Sequence, residues 1–182
     1  MKNLKTRLVL FVLLFLAFQS IANAHFPDQS YIYLQIHENS ITGYFEVTTK
    51  DLNKVFGTDL KAGLTEEDLA PHLAKIQEYV FQKASFTSQG EGDYKIKFME
   101  TGFLRVNVFG DFVQLKFILE GVNKIQEKID VKYEAFVKDI PGHTCLLVIE
   151  QNKKTGVANN ESIHSLEFSS NNTKQELLTS EG

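Results

Sequence analysis

The chain has 182 residues, a net charge of −4, 15 Phe, 6 Tyr, no Trp, three Pro and one Cys. This length suits one domain with a core that needs no staples, and a single cysteine excludes an intrachain disulfide. The acidic balance argues against nucleic acid as a partner, since phosphates demand a basic face and no Lys/Arg cluster supplies one.

The first 24 residues have the layout of a cleavable signal peptide. Lys2, Lys5 and Arg7 form a positive start, Leu8 to Phe18 an apolar run of 11 residues, and Ala22-Asn23-Ala24 a small-x-small cleavage site. The run falls short of the roughly 20 residues a membrane span requires, so an uncleaved anchor is the lesser alternative. No Cys adjoins the cleavage site, which argues against a lipid anchor. Losing Lys2, Lys5 and Arg7 with the leader moves the net charge to about −7. The expected location is extracytoplasmic, a bacterial periplasm or the secreted space.

The next segments read as strands. From Ser30 to His37, Tyr31, Tyr33 and Gln35 alternate with Ile32, Leu34 and Ile36, the period of a strand with one apolar face. Ile41 to Thr49 returns after a turn at Glu38-Asn39-Ser40 and completes a hairpin. The period then changes. Residues 50–56 suit one or two helical turns stopped by Gly57. Thr65 followed by Glu66, Glu67 and Asp68 is a helix start, and Leu69, Leu73, Ile76 and Val80 carry a helix from about Glu66 to Gln82.

Strands are expected again at 84–88, 94–99, 103–109, 112–119, 129–137, 144–151 and 163–168. Gly110-Asp111 is a hairpin turn, and 139–143 is a loop. Eight or nine short strands with one inserted helix predict a mostly β domain, a β-sandwich of immunoglobulin-like general architecture, over residues 25–169. The Ser/Asn/Thr/Glu-rich stretch 170–182 predicts a flexible tail or linker.

The chemistry-bearing residue of most interest is His25, which cleavage would make the first residue. Its α-amino group and imidazole can chelate one ion, and Cu(II) or Ni(II) suits such nitrogen donors. A second histidine would complete the site, with His37, His72, His143 and His164 as candidates. None has paired zinc-site spacing, and surface positions are expected for all four. Cys145 lies in the apolar run 144–149 and is expected as a buried small hydrophobe. No nucleophile elbow, P-loop, dinucleotide fingerprint or calcium loop occurs. The chain is therefore expected not to be an enzyme.

Several stretches resemble one family. They are Ala24-His25-Phe26-Pro27-Asp28-Gln29-Ser30, then Lys50-Asp51-Leu52-Asn53-Lys54-Val55-Phe56-Gly57, then 147–152 and 168–173. Together they resemble the extracytoplasmic N-terminal region of HupE/UreJ-like bacterial membrane proteins, over most of residues 25–175. The resemblance implies a polytopic metal-related membrane domain, associated with nickel or related metal transport, beyond this region. The present chain stops at Gly182 without it, so no transport residue carries over. The expected function is a non-enzymatic extracytoplasmic interaction module whose partner is a membrane protein or membrane domain. The alternatives are a stand-alone copper- or nickel-binding protein using His25, and an extracytoplasmic enzyme of unknown type.

Overall fold

A computed structural model describes residues 28–106, 110–158 and 165–180. Strand β1 (Gln29–Ile36) and β2 (Ile41–Thr48) form the expected hairpin, in register from Tyr31↔Glu46 to Ile36↔Ile41. Gly43 of β2 is required there: a Cβ would stand 2.3 Å from the Tyr33 carbonyl oxygen and 2.9 Å from the Phe117 ring.

Helix α1 (Thr49–Phe56) begins where the Asp51 N–H donates to Thr48 Oγ1 at 3.0 Å, and ends at Gly57 in the left-handed conformation, φ 66°. Helix α2 (Glu66–Gln82) opens with a reciprocal capping box between Thr65 and Asp68. It buries Leu69, Ile76 and Val80, the expected apolar stripe.

The remaining strands are β3 (Ala84–Ser88), β4 (Gly92–Val106), β5 (Gly110–Glu120), β6 (Lys128–Tyr133), β7 (Thr144–Asn152), β8 (Ser165–Phe168) and β9 (Lys174–Leu178). Mostly β is therefore the observed class. The strands join in one nine-stranded sheet, ordered β8-β7-β1-β2-β5-β4-β3-β6-β9, rather than in two hydrogen-bonded sheets. All pairs are antiparallel except β1 with β7.

The sheet coils until its edges meet. A short turn with a Ser169↔Asn172 bridge joins the edge strands β8 and β9, and Gln175 Nε2 donates to the Glu167 carbonyl. The coil encloses an aromatic interior. Phe45 of β2 stacks on Tyr133 of β6 with ring centroids 6.0 Å apart, and Tyr133 meets Phe168 of β8 at 6.1 Å. Rings in such contact contribute about 1 kcal/mol beyond their burial.

Three expectations need correction. Residues 174–178, assigned to a flexible tail, form β9 on β6 with Leu177 buried. Thr179 Oγ1 also donates to the Gln126 carbonyl at 2.6 Å. Polar composition there hides an ordinary half-buried strand. The expected strands 94–99 and 103–109 are, as far as Val106, one strand, β4, with a register irregularity between Phe98 and Glu100; Gly102 packs against the Gln114 side chain instead of turning the chain, and residues 107–109 lie outside the described residues. Lastly, β6 stops at Tyr133. The chain then turns through Phe136 at φ 61°, held by its N–H donating to Tyr79 Oη at 2.7 Å.

Candidate functional site

The first group of interest lies inside the coil, where β1 begins. Parallel pairing sets Gln29 opposite Thr144 and Ser30 opposite Cys145, and the Thr144 N–H donates to the Asp28 carbonyl at 3.3 Å. The chain therefore enters the domain beside the loop that carries His143. Even-numbered β1 residues face inward, so Ser30 points into the core with Ile32 and Leu34. The capping interaction of α1 brings Asp51 to the same place. Thr48 Oγ1 donates to Asp51 Oδ2 at 2.8 Å.

These elements assemble a buried polar row. His143 Nε2 is 3.0 Å from Ser30 Oγ, and Ser30 Oγ is 3.3 Å from Tyr133 Oη. His143 Nδ1 is 3.8 Å from Asp51 Oδ2, too long for a hydrogen bond. Both Asp51 Oδ1 and His143 Nδ1 lack any hydrogen-bond partner. Burial pushes the Asp51 carboxyl up to about 6, only partly offset by the Thr48 hydrogen bond. Burial pushes the His143 imidazole down to about 4. Although the separation is within ion-pair range, an imidazole held neutral makes no salt bridge at neutral pH.

The order Asp–His–Ser matches that of a hydrolytic triad. Here Ser30 is 0% exposed and His143 2%, so no substrate reaches Ser30 Oγ in this arrangement. Cys145, adjoining this row, is buried as expected, and burial pushes its thiol up to about 12, far from a reactive thiolate.

A second group lies on the outer face of β7-β1-β2-β5. Tyr31, Tyr33 and Tyr44 form a stacked ladder, with centroids 5.8 Å and 4.8 Å apart. Glu150 accepts from Tyr44 Oη at 3.1 Å and from Gln35 Nε2 at 2.7 Å. Glu46 is buried, with Oε2 accepting from Gln114 at 2.7 Å and Oε1 unpartnered. Burial raises the Glu46 carboxyl, and it also raises the Tyr33 and Tyr44 hydroxyls far above their ordinary range.

The sequence-selected histidines scatter. His25 and His164 lie outside the described residues. His37, at the far end of β1, is 3.0 Å from Thr42 Oγ1 and borders an open depression with Lys124, Lys153 and Lys154. His72 sits half-buried on α2 beside Asp59 and Asp68. His143, expected at the surface because it follows Pro141-Gly142, is instead buried. The turn folds back over the core, and the His143 ring lies tilted against Phe136 with centroids 5.8 Å apart. Among the described residues no cluster of three or more His, Cys, Asp or Glu suits a metal, and no helix is long and apolar enough to cross a membrane.

Sequence reasoning missed Asp51 and Ser30. Their only signal was the Thr48-x-x-Asp51 spacing of a helix cap and the inward parity of Ser30. No protein-family model matches this chain, and no curated protein matches it either.

Proposed function

We propose that the chain acts as a non-enzymatic extracytoplasmic interaction module, resembling the outer domain of a HupE/UreJ-like metal-related membrane protein. The observation that carries this reading is the contrast between the two groups. The Asp51–His143–Ser30 row is sealed from solvent, whereas the tyrosine ladder ends at the half-buried Tyr44 with the Glu150 carboxylate beside it. Tyrosines suit recognition surfaces because they bring large area at low entropic cost. A flattened immunoglobulin-like sandwich is the finer fold that goes with this role; the Phe45–Tyr133 stack between non-neighbouring strands supports it. The partner is a membrane protein or membrane domain.

The test is a photo-cross-linking amino acid placed at Tyr44 in the full chain expressed in intact cells. A discrete adduct with a membrane protein from position 44, and none from the exposed Lys61 on the α1–α2 connection, is expected. Equal labelling from both positions, or none from either, contradicts the reading.

A further inference from the structure

We infer that the outer-face site at Tyr44 receives an arginine side chain of the partner, its guanidinium forked onto the Glu150 carboxylate and lying against the Tyr44 ring. The inference rests on the reading above and deepens it by stating the chemistry that the partner brings.

Charge gives the first reason. Glu150 and Glu46 both lie on the outer face, and neither forms an ion pair among the described residues. Lys116, which stands opposite Tyr44 on β5, is held instead by Glu100 at 2.7 Å. Glu46 is buried with Oε1 unpartnered. Burial raises its carboxyl, the Gln114 hydrogen bond opposes that, and the Glu150 charge adds to it. The two carboxylates therefore share one local field, with no cation to balance it. A docked cation relieves that field, and an anionic group is repelled by it.

Geometry selects the kind of cation. Glu150 is half-buried, and each of its oxygens accepts one hydrogen bond, Oε1 from Tyr44 Oη at 3.1 Å and Oε2 from Gln35 Nε2 at 2.7 Å. A carboxylate oxygen has two lone-pair sites, so each keeps one for a further donor. Two parallel N–H groups at fixed spacing fill both, and guanidinium offers them where an ammonium does not. Gln35 is fixed in turn, its Oε1 accepting from Thr42 Oγ1 at 3.3 Å. The carboxylate is thus oriented before any ligand arrives. Tyr33 backs the Tyr44 ring, with centroids 4.8 Å apart. Tyr44 and Gln35 also line an open depression of about 240 Å³ that the exposed Met99 borders. A planar guanidinium lies flat on such a ring and is drawn to its π face. An apolar side chain docked there would strip water from Glu150 and leave its remaining acceptor sites unpaired.

The test titrates acetyl-Gly-Arg-Gly-amide into the purified chain and follows the Tyr44 ring resonances. Its citrulline twin, of nearly the same shape and without charge, is the comparison. The arginine peptide should shift the Tyr44 signals and bind about tenfold more tightly than the twin. Glu150→Gln should remove that difference, and Glu100→Gln, at an exposed carboxylate on the neighbouring strand β4, should leave it unchanged. Equal binding of the two peptides to the unmutated chain overturns the inference, and so does an equal loss in both variants. A second measurement separates this inference from the reading it rests on. With the cross-linker at position 44 in intact cells, Glu150→Gln should abolish the adduct. If the adduct persists at full yield, the interaction module stands and the arginine assignment is overturned. Arginine-selective binding without any adduct in the parent sinks the membrane-protein partner and keeps the arginine site.

Discussion

Replacing Asp51 by Asn should reshape how stability depends on pH, because Asp51 and His143 oppose each other. Asp51 is 1% exposed, and burial lifts its carboxyl from 3.8 to about 6. The folded state therefore holds this proton more tightly than the unfolded chain. That contribution is complete below pH 3.8 and is lost as pH rises through about 6, a change of about 3 kcal/mol. His143 is depressed from 6.5 to about 4. Its contribution is complete above pH 6.5 and is lost as pH falls through about 4, again about 3 kcal/mol. Between pH 4 and 6.5 the two nearly cancel. Asp51→Asn removes the first limb, so the difference between variant and parent should rise by about 3 kcal/mol from pH 4 to pH 7. His143→Gln should give the opposite trend. Urea unfolding at pH 4, 5, 6 and 7 reads this as a midpoint displacement of roughly 1.5 M across the series, for a slope near 2 kcal/mol per M. Profiles that stay parallel to the parent's would refute the buried-pair reasoning.

Other outcomes follow from single contacts. Gly43→Ala should destabilise by at least about 2 kcal/mol in chemical denaturation, since its Cβ would meet the Tyr33 carbonyl oxygen at 2.3 Å and backbone cannot step aside. Tyr79→Phe should cost about 2 kcal/mol by the same assay. It removes the acceptor for the Phe136 N–H, which holds Phe136 at positive φ, and a hydroxyl 2.6 Å from Asp139 Oδ2. Leu177→Ala should cost about 2–3 kcal/mol in urea unfolding if β9 closes the coil; a flexible tail would register no change. Cys145 should resist a thiol reagent at pH 8 in the native protein and react at once in 6 M guanidinium.

Local signals wrote most of the elements plainly. Thr65-x-x-Asp68 and the stripe Leu69, Ile76, Val80 set α2 at its observed bounds, and Gly57 ends α1 as a left-handed cap must. Period-two alternation set β1 and β5, and runs of strand-forming or apolar residues set β2 and β7, to within a residue or two. Long-range closure was not legible. Nothing near Leu177 says that β9 pairs with β6, or that β8 and β9 are the two edges of one sheet. The buried row escaped for the same reason. Ser30 and His143 are far apart in sequence and meet because β1 and β7 run parallel side by side, and the cap of α1 brings Asp51 to them. A histidine after Pro-Gly carries the local signature of an exposed turn, and only tertiary packing against Phe136 buries it.

An extracytoplasmic role depends most on where the working chain begins and where it resides. Protein expressed from the full sequence should be recovered from the extracytoplasmic fraction, and its intact mass and first residues should be read directly. The predicted result is a chain starting His25-Phe26-Pro27-Asp28, free of the leader. A chain that keeps residues 1–24, or that stays in the cytoplasm, would contradict the extracytoplasmic interaction module.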